Sequence, residues 1–285
     1  MVLNSLYEYL TEDYAMNLQR HDSKYRFRSI WISDTHLGTK HCHAQSLLEF
    51  LSVTDSEYLY LVGDIVDLWA MKKNIHWPPE HTKILKLIQD KADNGTNVIY
   101  TPGNHDNELR LFCGKLIGNI RVEAHAKHST LNGRQLLVLH GDQIDPLMQA
   151  HCGRILSYLG DAGYEFLLRI NHHLGRVQRA LGMKHWSLAS LIKNNLRNSM
   201  KHVSTYEHLL SGFARDFKVN GVICGHIHAP RIQTFNEMAY YNTGDWVEHC
   251  TALVETDSGE IKLITWSEMI DLINQDRLSA ESIAA

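Results

Sequence analysis

The chain has 285 residues and a formal net charge of -4, a length that accommodates one large α/β domain or two smaller ones and a balance without the general basic excess of a nucleic-acid binder. No run of about 18 apolar residues offers a membrane span, and a start carrying Glu8, Glu12 and Asp13 lacks the basic and apolar regions of a signal peptide. Cys42, Cys113, Cys152, Cys224 and Cys250 are scattered without a CxxC pair, which points to reduced thiols in a cytosol, whereas 19 histidines raise the question of a metal.

Residues 1–26 read as a leading extension, helical from Leu3 to Leu18 and ending in the charged stretch Arg20 to Lys24. Ser29 to Ser33 then forms a short apolar strand that stops at Asp34-Thr35-His36, followed by Gly38 and a helical pattern through Leu47, Leu48, Phe50 and Leu51. The same pattern returns at Tyr58 to Val62, which stops at Gly63-Asp64; beyond Pro78 and Pro79 a helix is predicted from about Glu80 to Lys91. Asp93-Asn94-Gly95 is a turn, and a third strand, Val98 to Tyr100, leads to Gly103-Asn104-His105-Asp106. Successive βα units predict a parallel sheet buried on both faces.

Gln135 to Leu139 is the next strand, ending at His140-Gly141-Asp142. From about 147 to 205 no strand signal appears; Ile155, Leu156, Leu159, Phe166, Leu167 and Ile170 recur at helical spacing, and basic residues outnumber acids. This predicts a helical insertion. A strand over Val219 to Cys224 follows and ends in Gly225-His226-Ile227-His228. Residues 240–245 and 252–255 read as closing strands, the latter forming a hairpin with 261–264 through Asp257-Ser258-Gly259, and the polar tail after Asp271 is expected to fray.

The polar tips fall at strand ends, and strand ends on one side of a parallel sheet share one crevice. Asp34, His36, Asp64, Asn104, His140, His226 and His228 are therefore candidate metal ligands. A nitrogen and oxygen set without thiolate suits Mn²⁺, Fe or Zn²⁺. Asp64, alone on its tip behind Gly63, is the candidate bridge between two ions. Asp67 and Trp69 are read as holding the metal loop in preference to touching substrate.

The blocks DxH, GD, GNHD, HGD and GHxH, in this order over residues 29–257, resemble the calcineurin-like metallophosphoesterases. The resemblance implies an αββα sandwich with residues 27–285 as one domain and 147–205 as a helical lid. It implies two divalent ions, one held by Asp34, His36, Asp64 and His228, the other by Asp64, Asn104, His140 and His226. His105 would then stabilise a phosphoryl oxygen or protonate the leaving group, with Asp106 either orienting its ring or capping the helix that follows.

The stretch Gly63 to Trp69, the insertion and the ending Asn242 to Trp246 are similar to the branch that contains the UDP-2,3-diacylglucosamine hydrolases of lipid A synthesis. That resemblance implies Mn²⁺, a pyrophosphate substrate that is lipid-linked, and cytoplasmic residence with peripheral contact at the inner membrane through the lid. Lys193 and Arg197, with Asn194 and Asn198, sit at helical spacing suited either to gripping phosphate or to a solvated face; Asn104 is a further candidate for substrate contact. Two departures stand out: members of that branch carry Arg where this chain has His105, and an acidic, hydroxyl-rich segment where it has Gln143 to Leu147. A phosphodiesterase or nuclease of other specificity is therefore the second reading, and a non-catalytic scaffold the third. No stable nucleic-acid partner is expected.

Overall fold

The structure is a computed structural model that describes residues 25–144, 207–235 and 237–284. The helix expected over Leu3 to Leu18, the body of the expected insertion, Lys193, Asn194, Arg197 and Asn198 lie outside the described residues. The described strands are β1 (Tyr25–Ile32), β2 (Thr54–Leu61), β3 (Asn97–Tyr100), β4 (Lys115–Ile117), β5 (Ile120–Val122), β6 (Ala126–Ser129), β7 (Gln135–Val138), β8 (Gly221–Cys224), β9 (Arg231–Phe235), β10 (Met238–Asn242), β11 (Thr251–Glu255) and β12 (Ile261–Thr265). They form a seven-stranded sheet, β12-β11-β1-β2-β3-β5-β4, and a five-stranded one, β6-β7-β8-β10-β9.

The alternation of side chains explains the layering. In β1, Ile30 and Ile32 face one core and Trp31 the other; in β2 and just beyond it, Leu59 and Leu61 oppose Tyr60 and Val62; in β3, Val98 and Tyr100 oppose Ile99. The first set packs with Leu47, Phe50 and Leu51 of α1 (Ala44–Val53) and Ile84 and Ile88 of α3 (Pro79–Asp93); a one-turn helix between them, α2, spans Leu68–Met71. The second set meets Leu136, Val138, Ile223, Ala239 and Tyr241 of the smaller sheet. A one-residue slip in any of these strands would exchange the two faces, so two buried cores specify the register tightly. On the far face of the smaller sheet Leu137, Val222 and Tyr240 are fully buried.

The predicted parallel core is present: β1 pairs with β2 and β2 with β3 in parallel, and α1 and α3 carry the crossovers. α3 begins with Pro79 in its first turn and ends at Asn94, with Gly95 at φ +99, so the proline and the glycine occupy the ends that suit them. β11 and β12 make the expected antiparallel hairpin. The strands β4, β5, β6 and β9 were not anticipated; each is at or near a sheet edge and carries little apolar alternation.

The tail is a correction. It does not fray after Asp271 but forms a helix over Trp266–Ala284, whose Trp266 and Met269 are buried against the first core with Ile270 and Ile273 beside them. Its start is a reciprocal capping box: Glu268 N–H donates to Thr265 Oγ1 (3.2 Å) and Thr265 N–H to Glu268 Oε2 (2.8 Å). Thr265-Trp266-Ser267-Glu268 carries that signature in the sequence.

A buried polar network stitches the two sheets together. Glu255 Oε2 accepts from Arg28 Nη1 (2.7 Å), Ser29 Oγ (3.1 Å) and His128 Nε2 (2.8 Å), while Oε1 accepts from Leu131 N–H (2.7 Å). With Nε2 donating, His128 Nδ1 is left to accept the Tyr60 hydroxyl (3.0 Å). Burial would raise the Glu255 carboxyl, but the donors from His128, Leu131 and Arg28 outweigh it and bring it down to about 2. A lowered carboxyl stabilises the fold above its unfolded value and loses that contribution as pH falls from about 4.5 toward 2, a span of about 3 kcal/mol. Glu255→Gln is expected to destabilise the chain at neutral pH by roughly 2–3 kcal/mol and to flatten the decline between pH 4.5 and 2.5. Urea unfolding across that range measures both effects.

Two compact units are distinguished, Met1–His140 with Val219–Ala285, and Gly141–Lys218. Of the second, the described parts are a 3₁₀ turn, Asp142–Ile144, and a helix over residues 207–216. Among the described residues no helix is long and apolar enough to cross a membrane.

Candidate metal centre

The candidate ligands all lie in the first unit, at the carboxyl ends of β1, β2, β3, β7 and β8. Past the strand ends the first two tips continue side by side. Asp34 N–H donates to Gly63 O (3.0 Å), His36 N–H to Asp64 O (3.0 Å) and Leu37 N–H to Ile65 O (2.9 Å). From α3, buried His81 accepts the Gly38 N–H at Nδ1 (3.0 Å) and so holds the far end of the first loop.

This geometry bends the backbone into a region that side chains disfavour. Asp34, His36, Asp64, His226 and His228 have φ of 50, 47, 53, 72 and 48. Left-handed conformations at non-glycine residues cost on the order of 1–3 kcal/mol each and persist where the surroundings enforce them. Two glycines make room for the ligands. A Cβ on Gly63 would collide with the His140 ring, and one on Gly103 with Asp64 Oδ1 and His140. Gly63 and Gly103 are thus close-approach residues for side chains that arrive from other tips.

Several of the candidate ligands are oriented by a second group. His140 Nδ1 donates to Val62 O (2.9 Å), which turns the Nε2 lone pair toward Asp64 Oδ2, 3.3 Å away. His36 Nδ1 meets Asp67 Oδ2 (3.0 Å), leaving Nε2 to face His228 Nε2 (3.4 Å). Asp34 Oδ2 accepts from Ser33 Oγ and from His226 N–H (3.0 Å); Oδ1 lies 3.3 Å from His228 Nε2. Asp64 Oδ1 takes the His105 N–H (2.8 Å). Asp245 accepts from the backbone of Val247, Glu248 and His249 and stands 3.9 Å from His228 Nδ1. Such outer partners fix the tautomer and orientation of metal-binding imidazoles.

Donor atoms of Asp34, His36 and His228 lie within 4.8 Å of one another, as do those of Asp34, Asp64 and His140 and those of His36, Asp64 and His105, so the His105 ring also reaches the cluster. Both carboxylates are buried, and each belongs to two of the three sets, Asp34 beyond its expected place with His36 and His228 alone. The His226 ring packs on that of His140 with centroids 5.2 Å apart. Asp34 Oδ1 and Asn104 Oδ1 are buried acceptors that no donor satisfies. An acceptor so placed costs about 1–3 kcal/mol unless something electropositive meets it. The residues therefore fit a divalent cation.

The charges agree. Burial would raise the carboxyl of Asp34, but His228 and His140 outweigh it and lower it; in Asp64 burial is outweighed by His140, His105 and His36, which hold it well below the usual carboxylate range. Burial pulls the His228 imidazole down, yet Asp34, Asp245 and Asp64 push it up to about 9. Ionised carboxylates facing imidazoles across a buried cleft attract protons or cations, and a divalent ion competes for the same lone pairs.

His105 and Asp106 depart from expectation in an instructive way. Asp106 does not reach the His105 ring and makes no side-chain cap to the following 3₁₀ helix, Asn107–Phe112. Its carboxylate accepts from Gly103 N–H (2.6 Å), Ile65 N–H (2.8 Å) and the Tyr100 hydroxyl, tying the second and third tips together. The ring's carboxylate partner is Asp67, whose Oδ2 lies 3.0 Å from His105 Nδ1, at an angle outside hydrogen-bond geometry. Burial pulls His105 down, but Asp67 and Asp64 raise it above its ordinary value. Asp67 Oδ1 also caps α2 through Ala70 N–H (2.7 Å). The assignment of Asp67 and Trp69 to holding the loop understated Asp67, whose contact with His105 only the fold reveals.

Two stacked sheets thus deliver buried carboxylates and imidazoles to one cleft, the donor set of a candidate metal centre. A family model for calcineurin-like phosphoesterase matches residues 27–230. This chain belongs to that family.

Among relatives, the UDP-2,3-diacylglucosamine hydrolase of Neisseria gonorrhoeae is 24% identical over 242 residues, covering 80% of this chain and 94% of its own. The enzyme of the same name from Haemophilus influenzae is 24% identical over 255 residues, covering 83% and 98%. Among solved structures, an archaeal phosphodiesterase is 15% identical and covers 83% of this chain with a TM-score of 0.39, too low to add to the fold assignment.

Proposed function

We propose that the chain uses two divalent ions, Mn²⁺ foremost, to hydrolyse a pyrophosphate of the UDP-2,3-diacylglucosamine type. The observation that carries the dinuclear reading is the pair of buried carboxylates, Asp34 and Asp64, shared among overlapping donor sets. Asp34, His36, Asp64 and His228 would hold one ion, and Asp64, Asn104, His140 and His226 the other. When bound, such ions make water nucleophilic near neutral pH and polarise phosphoryl oxygens.

The chain's own residues do the rest. His105, with its side chain 28% exposed, has Nδ1 facing Asp67 and Nε2 4.0 Å from Asp64 Oδ2 at the edge of the candidate metal cleft, where Nε2 would meet the phosphoryl centre. A water oxygen would bond to phosphorus, giving up its proton to solvent, as the bond to the leaving oxygen breaks, and protonated His105 would supply the leaving oxygen's proton, becoming neutral. Asp106 keeps the loops of Asp64 and Asn104 in register. Residues 1–26 would be an extension and 147–205 a lid for acyl chains, with Lys193 and Arg197 toward phosphate; cytoplasmic residence at the inner membrane face belongs to the same proposal.

The substrate class is supported by relatives of that name aligned over most of both chains. His105 in place of the branch's Arg favours a second reading, a phosphodiester or pyrophosphate hydrolase of other specificity. Mn²⁺-loaded protein should release UMP from UDP-2,3-diacylglucosamine faster than it hydrolyses cyclic or linear nucleotides. Absence of UMP release, with nucleotide turnover retained, would replace the first reading by the second.

A further inference from the structure

We propose that Trp69 is a positioning residue for His105, holding the imidazole in a slot so that Nε2 is aimed at the leaving oxygen; this rests on the proton-donor reading of His105. The Trp69 and His105 rings lie 4.6 Å apart at an interplanar angle of 35°. The His36 ring stands edge-on to His105, with centroids 4.7 Å apart and an angle of 88°. Asp67 meets Nδ1, and the His105 carbonyl accepts the Leu68 N–H (3.1 Å). The imidazole is therefore bounded by an aromatic wall, a metal-ligand candidate and a carboxylate. The backbone next to Trp69 is bonded to its own backbone.

Among the described residues, Trp69 takes no part in either core. Trp31, Trp77, Trp246 and Trp266 belong to or pack on the two cores, and Trp69 does not, remaining partly exposed on α2. A large ring outside both cores and laid against His105 is placed to act on how that imidazole is held. The same Asp67 whose Oδ2 faces His105 and His36 caps α2 through Oδ1. One carboxylate thereby sets the imidazole and the helix that carries the wall. Without the wall, rotation about the His105 side-chain bonds would swing Nε2 away from the leaving group, and misplacement of that order costs up to about 100-fold in rate.

The test uses Mn²⁺-loaded full-length protein and two phosphodiesters, one with a p-nitrophenyl leaving group and one with an alkyl leaving group. Departure of nitrophenolate needs no proton, whereas an alkoxide does. Trp69→Leu should lower kcat for the alkyl ester by about tenfold or more and leave the nitrophenyl ester within about twofold, with Trp69→Phe restoring most of the loss. In a His105→Asn background Trp69→Leu should have no further effect. Equal loss on both esters, no loss on either, an effect confined to KM, or a full additional effect in the His105→Asn background would overturn the proposal. If His105→Asn itself fails to discriminate between the esters, the proton-donor reading fails and the proposal falls with it. Discrimination by His105→Asn without discrimination by Trp69→Leu sinks the positioning role alone.

Discussion

Asp64→Ala and His105→Ala should both lose metal-stimulated hydrolysis of a phosphodiester with an alkyl leaving group, but only Asp64→Ala should lose bound metal. Asp64 is buried at the meeting of the first and second tips, with Oδ2 directed at His140 and Oδ1 bonded to the His105 N–H. Its removal takes away the carboxylate proposed to bridge the ions, so hydrolysis should fall to background. Asp64→Asn, which keeps the shape and one acceptor, separates loss of charge from collapse of the loop. His105 stands one step out, more exposed and facing Asp67, so its removal should cost about 10²–10⁴-fold in kcat with metal retained. Metal content by mass spectrometry and turnover on the same preparations test both. Full activity in either variant would remove that residue from its role, and metal retained by Asp64→Ala would remove it from the ligand set.

Asp67→Ala should be nearly as damaging through two different side chains. One carboxylate orients His36 at 3.0 Å and faces His105 at 3.0 Å. Burial would raise it, but these two imidazoles hold it well below the usual carboxylate range, so it stays ionised. Loss of an outer partner to a metal-binding imidazole lowers metal affinity by about 10–100-fold. Because His105 is released as well, saturating Mn²⁺ should restore binding without restoring kcat. A titration of activity against Mn²⁺ distinguishes the outcomes: complete rescue at high metal would mean that Asp67 serves His36 alone.

The departures from expectation share a cause. Asp106 follows His105 in the chain, and adjacency suggested that its carboxylate serves the neighbouring ring. In the fold the loop directs it inward to Gly103, Ile65 and Tyr100, and the partner of His105 arrives from the second tip. Its sequence signal was the spacing of Asp67 three residues after Asp64, which implies nothing about His105 until the tips converge. The C-terminal helix was legible in Thr265-Trp266-Ser267-Glu268 and in Met269, Ile270 and Ile273, yet its polar composition masked the narrow apolar stripe. β4 and β6 left no such trace, since edge strands pack on one side or neither and need no alternation.

By itself the sequence determined the class of the protein. Buried parallel strands must be apolar on both faces, and polar residues that interrupt them at their ends are costly unless they do chemistry, so Asp34, His36, Asp64, Asn104, His140, His226 and His228 stand out in one dimension. The tertiary structure decided what each of those residues does for the others: which oxygen of Asp34 no hydrogen-bond donor meets, which nitrogen of His140 is turned inward, and why Asp67 and not Asp106 answers to His105. Those are matters of distance and angle between loops far apart in the chain. The pairing of strands and the packing of two cores bring such loops together, and order along the chain carries no distance between them.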